Sequence, residues 1–337
     1  MASSWMAHEI ASVPELVARQ EVLLADAVRQ LVSRLVRHPP QFVVICARGS
    51  SAHAGLFAKH VIELHLGIPV APAAPSIASI YRRRLELRGQ LVLIISQSGT
   101  SDDLIEFAKS ARDSGALTVA VTNVEGSPLS SSCDVTLAIG AGPERSVPAT
   151  KTFLSSLCLV LRLAAAWSKE TALQSALGRL PQRLTEAASL DWSEAVEVLA
   201  ESEALATIGR GPTLAIAREA ALKLKETCKL NAEGFSAAEF QHGPISLLSS
   251  RYPIFVFKPN DPAAAETRAF VSALLDKGAR VLCTEPVGTL PTLPPDRAET
   301  DAICAMQAFY AMLVKLASCR GVDPDRPPHL QKVTRTR

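Results

Sequence analysis

Two stretches of this chain share one pattern, and that repetition restricts the fold more than any other feature. FVVICARGSSAHAGLFAKHVIE (42–63) and EALATIGRGPTLAIAREAALKLKE (203–226) each pass from an apolar strand through Arg-Gly and a polar turn into a helix. The apolar run Phe42–Cys46 is too continuous for a one-sided antiparallel strand and suits a parallel sheet covered on both faces. The segments downstream of the two stretches repeat as well. QLVLIISQSGTSDDLIEFAKSARDSG predicts a strand over 90–95, a loop Ser96–Ser101 and a helix over 102–112, and YPIFVFKPNDPAAAETRAFVSALLDKG (252–278) has the same form. LTVAVTN (117–123) and ARVLCTEP (279–286) read as the next strands, and DVTLAIGAG (134–142) as a fourth in the first half. The expected fold is α/β, two tandem doubly wound parallel-sheet units of the flavodoxin-like kind, at about 35–170 and 195–320. An N-terminal helical segment (1–34, its helix running over 6–37 and ended by HPP) precedes them. DWSEAVEVLAES (191–202) joins the units, GTLPTLPPDR (288–297) reads as a proline-rich loop, 301–319 as an apolar helix, and 321–337 as an extended tail.

Composition excludes several function classes. A formal charge of +2 gives no reason to expect nucleic acid or an anionic membrane as partner. The seven cysteines are scattered, odd in number and free of any CxxC, so they read as reduced thiols and not as a disulfide frame or zinc site. MASSWMAHEI has no basic residues ahead of an apolar run and does not read as a signal peptide. The most apolar helix expected, around 153–167, is interrupted by Arg162 and is too short to span a bilayer. The expectation is a soluble, cytoplasmic protein.

Chemistry concentrates in three places. SQSGTS sets four hydroxyls and an amide around one glycine, at a strand's carboxyl end and ahead of a helix. Hydroxyls and helix N–H groups there can hold a phosphate without a lysine, although polar turns use the same residues for ordinary hydrogen bonding. In ARGSS, Ser50 or Ser51 is placed to cap the following helix. In EAALKLKETCKLNAEGFSAAEFQHGP (219–244), spacings of four and three put Glu219, Lys223 and Glu226 on one helix face, with His242 after a short connection. On spacing alone that face could equally be solvated. His53, His60 and His65 lack the i,i+4 pairing of a helical zinc site, so no metal is expected.

SQSGTSDD, ATKTF, the GRG…EAALKLKE stretch, AEFQHGP and the GVDPDRPPHLQKVT tail together resemble the paired sugar-isomerase (SIS) domains of glucosamine-6-phosphate synthase over nearly the whole chain. The synthase also carries a glutaminase domain. Here Met1-Ala2 leads almost directly into the isomerase part, which implies that no nitrogen donor is made in this chain. ARGSS in place of a cysteine-containing turn, and a KVTRTR ending, are more similar to stand-alone type II glucosamine-6-phosphate deaminases. Galactosamine-6-phosphate deaminases and fructosamine-6-phosphate deglycases are the alternatives within that branch. A non-catalytic sugar-phosphate sensor is the alternative outside it, but it would have no use for Glu226 and His242 together.

The resemblance implies roles residue by residue. Ser51, Ser96, Gln97, Ser98 and Ser101, with Ser50 beside them, would bind the sugar phosphate. Glu226 would move a proton between carbons 1 and 2, with Lys223 beside the developing oxyanion. His242 would open the sugar ring, reaching in from the partner subunit of a homodimer with a shared active site. Lys332, in the tail, would meet the carbonyl end. The reaction would convert glucosamine 6-phosphate to fructose 6-phosphate and ammonia without a metal or other cofactor.

Overall fold

The computed structural model describes residues 4–285 and 289–332. The outermost ends, 1–3 and 333–337, and the 286–288 approach to the proline-rich loop lie outside the described residues. The chain divides into two compact units. The N-terminal unit comprises Glu15–Glu144, Lys151–Ser175 and Gln331–Arg337, and the C-terminal unit Met1–Pro14, Arg145–Thr150 and Ala176–Leu330.

In the N-terminal unit the strands are β1 (Val43–Ala47), β2 (Val70–Pro72), β3 (Leu91–Ser96), β4 (Leu117–Thr122) and β5 (Val135–Ala138). They lie in the order β2-β1-β3-β4-β5, every pair parallel. Residues Val44, Cys46, Val92, Ile94 and Ala120 point to one face, where they pack with Leu104 and Phe107 of the helix Asp102–Asp113. The alternate residues Val43, Ile45, Leu91, Leu93 and Ile95 are buried too. Covering both faces is why these strands have no polar alternation.

The C-terminal unit holds β6 (Ala204–Gly209), β7 (Asn231–Ser236), β8 (Ile254–Phe257), β9 (Val281–Glu285) and β10 (Leu290–Pro291). Their order is β7-β6-β8-β9-β10, again all parallel. This is the winding of the first sheet, strand for strand, and the two flavodoxin-like α/β units expected from the repeat are present.

Several local expectations need correction. The 6–37 region is two helices, Trp5–Ala11 and Val13–Arg37. They part at Ser12, whose hydroxyl donates to the Glu9 carbonyl at 2.7 Å and so offers the backbone an alternative to the helical ladder. Three strands escape the sequence pattern: β2 and β10 are only three and two residues long, and β7 (NAEGFS) has little apolar content. The connection from the 219–226 helix to His242 is therefore not short; it contains β7 and the helix Ala237–Phe240. Among the described residues, one helix is long and apolar enough to cross a membrane, Ala298–Cys319, and 67% of its most apolar window is buried inside the protein; the 153–167 helix, read as too short to do so, does not qualify. Its burial in the core of the C-terminal unit explains that composition.

Candidate functional site

In each sheet the strand order reverses at the first and third strands, and in such sheets ligands bind outside the carboxyl ends of the strands at that point. In the N-terminal unit these are β1 and β3, which run into Arg48 and into the Ser96–Ser101 loop. Ser96 is 6% exposed, and its hydroxyl accepts from the Gly99 N–H at 3.2 Å. Ser98 Oγ accepts from the Thr100 N–H at 3.3 Å and the Thr100 hydroxyl at 3.0 Å, while the Gln97 carbonyl accepts from the Asn123 N–H at 3.1 Å. Gly99 has φ 63°, and a Cβ there would fall 2.2 Å from Ser127 Oγ, so any side chain would strain and block the turn. Ser101 is the N-cap of the helix Asp102–Asp113, yet its side chain makes no capping bond.

The serine cap expected for the helix Gly49–Leu66 does not form. Arg48 is its N-cap, with no side-chain capping bond, because the chain turns helical before Ser50 and Ser51. Both serines sit instead inside the first turn, half-buried.

Sequence reading missed what braces these two turns. Arg48 donates to Asp103 Oδ2 through Nε at 3.1 Å and Nη2 at 2.7 Å, and the Asp103 side chain is 1% exposed. The pair ties the turn after β1 to the helix after β3. It also neutralises one of the two carboxylates, Asp102 and Asp103, that would oppose an anion at that helix start. Only chain order hid it, since 55 residues separate the partners.

Lys332 is placed on Glu144, with Nζ at 2.7 Å from Oε2 and the carboxylate fully buried. Glu144 also accepts from the Thr152 N–H at 3.1 Å and the Thr152 hydroxyl at 2.8 Å, in the first turn of the helix Lys151–Ser168. Glu144 was not singled out from sequence; nothing local distinguishes it from a surface glutamate.

In the C-terminal unit the helix Thr213–Cys228 carries Glu219, Lys223 and Glu226. Their side chains are 0%, 1% and 18% exposed, so this face is not solvated. Lys223 Nζ hydrogen-bonds Glu226 Oε2 and stands 3.5 Å from Glu219 Oε1. Tyr310, from the helix Ala298–Cys319, donates its hydroxyl to Glu219 Oε1 at 3.3 Å. A buried ammonium would be costly alone, and two carboxylates offset it. Glu226 is the member with access to solvent, as a group exchanging protons with a substrate must be.

His242 is exposed, in the turn after Ala237–Phe240. Ser236 caps that short helix by accepting from the Glu239 N–H at 3.1 Å, and the Glu239 carboxylate accepts from the Ser236 hydroxyl at 3.1 Å. Gly243 follows at φ 133°, a conformation that reserves the position for glycine. Among the described residues no hydrogen bond or ion pair joins the His242 ring to Lys223 or Glu226. Cys228, at the end of the helix Thr213–Cys228, is a packing residue: burial pushes its thiol up to about 11, far from a working nucleophile.

Comparison with known proteins supplies the remaining context. The chain is 32% identical over 356 aligned residues to the isomerizing glutamine–fructose-6-phosphate aminotransferase of Bradyrhizobium diazoefficiens, covering 97% of this chain and 58% of that protein. The Symbiobacterium thermophilum protein of the same name is 34% identical over 318 residues, 86% of this chain and 51% of its own length. The chain thus spans little more than half of these curated relatives. Among solved structures, a Silicibacter pomeroyi protein provisionally called a phosphosugar isomerase is 41% identical, with a TM-score of 0.92 over 96% of this chain and 100% of that one. A Thermotoga maritima glucosamine-6-phosphate deaminase shares the fold at 22% identity, with a TM-score of 0.80 over 99% of this chain and 100% of that one. The SIS domain model matches twice, at residues 40–166 and 198–285, on the repeat that builds the two sheets. By these matches the chain belongs to the SIS domain family.

Proposed function

We propose that this protein is an isomerising deaminase of an amino-hexose 6-phosphate, with glucosamine 6-phosphate as substrate. The observation that carries the reading is the Glu219–Lys223–Glu226 set, a buried ammonium held by two carboxylates of which one meets solvent. The Ser96–Ser101 loop, with Ser50 and Ser51, takes the phosphate through hydroxyls and helix N–H groups. His242 moves a proton from the anomeric hydroxyl to the ring oxygen, opening the sugar to its aldehyde. Glu226 removes the proton at carbon 2, and Lys223 stabilises the oxyanion that forms at the carbon 1 oxygen. Glu226 then returns the proton to carbon 1, leaving a ketose imine at carbon 2. Water adds to that imine and ammonia leaves, giving fructose 6-phosphate. Lys332 attends the carbonyl end of the open sugar. Support for an amino sugar comes from relatives whose name joins fructose 6-phosphate to an amino-group transfer.

The exposed turn at His242 suits a residue offered to a second copy, so the reading includes a homodimer with shared sites. Mixing Glu226→Gln with His242→Ala chains should then recover about a quarter of wild-type activity, because half the dimers are mixed and each has one intact site. No recovery after verified subunit exchange would refute sharing.

A second reading, aldose–ketose isomerisation of a phosphosugar without loss of ammonia, is favoured by the Silicibacter pomeroyi relative. Incubation in D2O with glucosamine 6-phosphate, galactosamine 6-phosphate and glucoselysine 6-phosphate separates the two. Deamination predicts ammonia equimolar with ketose phosphate, and deuterium at product carbon 1. Turnover of a neutral aldose phosphate, with no ammonia from any amino sugar, would replace the first reading by the second. Binding without turnover of any substrate would indicate a sensor.

A further inference from the structure

The tail that carries Lys332 is tied down upstream of the lysine by the first helix of the chain. Asp325 Oδ2 accepts from the Trp5 N–H at 2.7 Å and Oδ1 from the Met6 N–H at 2.8 Å, 320 and 319 residues away. These are the first two N–H groups of the helix Trp5–Ala11, and Ser4 Oγ takes the third, from Ala7, at 3.1 Å. Asp325 thus supplies acceptors that the helix start lacks on its own.

The same helix grips a second segment. Glu9, 5% exposed, accepts from the Arg145 N–H and, at 3.4 Å, from the Ser146 N–H. The Arg145 guanidinium lies over the Trp5 ring, 4.2 Å from its centroid. The Val147 N–H donates to the Asp325 carbonyl at 3.0 Å, and the Ser146 hydroxyl to the Pro324 carbonyl at 3.5 Å. Helix, segment 145–147 and tail 324–325 therefore hold one another in pairs. All of these residues belong to the C-terminal unit. Two carboxylates are committed to backbone N–H groups here, and such charge-assisted bonds are the strong kind.

The held segments border both partners of the Lys332–Glu144 pair. Glu144 directly precedes Arg145, and Lys332 follows Asp325 by seven residues, a reach of about 25 Å at full extension. Glu144 and Lys332, both of the N-terminal unit, meet at 2.7 Å. Fixing the backbone beside one partner and upstream of the other narrows where both side chains can stand.

We infer that Asp325 and Glu9 are positioning residues for Lys332, acting through the tail and the backbone next to Glu144 and not on the sugar. The inference rests on the proposed role of Lys332 at the carbonyl end of the open sugar. A misplacement of about 1 Å near a reacting centre can cost on the order of 10²-fold in rate, so looser seating of the lysine should be measurable.

A double-mutant cycle tests it, run on the phosphosugar that the D2O incubation shows to be turned over, glucosamine 6-phosphate by the proposed reading. Asp325→Ala should lower kcat about tenfold, with KM changed less than twofold. In a Lys332→Met background the same change should cost less than twofold. Glu9→Gln, which keeps one acceptor oxygen, should show the same pattern at smaller size. A fall by the same factor in both backgrounds would mean that Asp325 only supports the fold, and would overturn the inference alone. Lys332→Met with full turnover would overturn both the inference and the role of Lys332 on which it rests. Trypsin cleavage after Lys332, read from the intact mass, needs no substrate and requires the lysine to leave Glu144. Asp325→Ala should speed that cleavage at least fivefold, and a rate within twofold of wild type would also overturn the inference.

Discussion

The two units share one winding and differ at the same corners. After β1 the Arg-Gly turn delivers Ser50 and Ser51 to a helix start; after β6 it delivers Pro212 and Thr213. The Thr213 hydroxyl is consumed by carbonyls, those of Arg210 at 2.9 Å and Phe257 at 2.7 Å. After β3 come Ser, Gln, Ser and Gly, whereas after β8 come Lys, Pro, Asn and Asp. Arg48 makes two hydrogen bonds to a buried Asp103, while its counterpart Arg210 stands 4.0 Å from an exposed Glu266. The crossover helices diverge as well. Gly49–Leu66 carries Lys59 and Glu63 at 40% and 37% exposure, and Thr213–Cys228 buries Lys223 between two carboxylates. Apolar strands impose the winding, and the two units differ in what occupies the ends of the strands and the inner face of one helix.

If the units divide the work in this way, the largest effect belongs to the C-terminal one. Glu226→Gln should lower kcat by about 10²–10⁴-fold with KM nearly unchanged. Ser98→Ala with Ser101→Ala, in the N-terminal unit, should instead raise KM for the phosphorylated sugar. Steady-state kinetics on glucosamine 6-phosphate would break the division if both variants moved the same parameter.

Stability separates the two lysines. Lys223→Met strands the fully buried Glu219 beside one carboxylate neighbour and should cost about 3–5 kcal/mol in urea denaturation. Lys59→Met removes a half-exposed pair together with a 3.0 Å hydrogen bond to the Val70 carbonyl and should cost about 1–2 kcal/mol. Equal losses would mean that Lys223 is not the buried counter-ion described.

A smaller contrast lies in the two Arg-Gly turns. Arg48→Met leaves Asp103, 1% exposed, without its charged partner and should cost about 1–3 kcal/mol. Arg210→Met should stay within about 0.5 kcal/mol. Thermal melts of the two variants decide this, and a reversal of their order would show the second turn to be the braced one.

The smallest expected effect tests a property common to both units. Burial pushes the thiols of Cys158 and Cys283 up to about 12 and that of Cys228 to about 11, so in the native protein at pH 8 these should resist a thiol reagent. Cys319, exposed at the end of the last helix, should react first. Rapid labelling of Cys228 would put an accessible thiol at the end of the helix that carries Glu219, Lys223 and Glu226.

Much of this was legible in the chain itself. Continuous apolar strands, glycine turns and amphipathic helices recur in one order twice, and a parallel doubly wound sheet is the arrangement that buries such strands on both faces. SQSGTS lies at a strand end because hydroxyls and glycine break a strand and start a helix, and that much is local. The tertiary structure decided whatever depends on residues far apart in the chain. Spacing put Glu219, Lys223 and Glu226 on one face, but only packing against Ala298–Cys319, with Tyr310 on Glu219, made that face an interior one. Likewise β2 and β10 are strands because a longer parallel neighbour supplies their hydrogen bonds, and three or two residues carry no period of their own. Arg48 found Asp103, and Lys332 found Glu144, across 55 and 188 residues. Periodicity reports which way a side chain points, but a charge becomes a buried partner only when the fold brings its counterpart and removes the water.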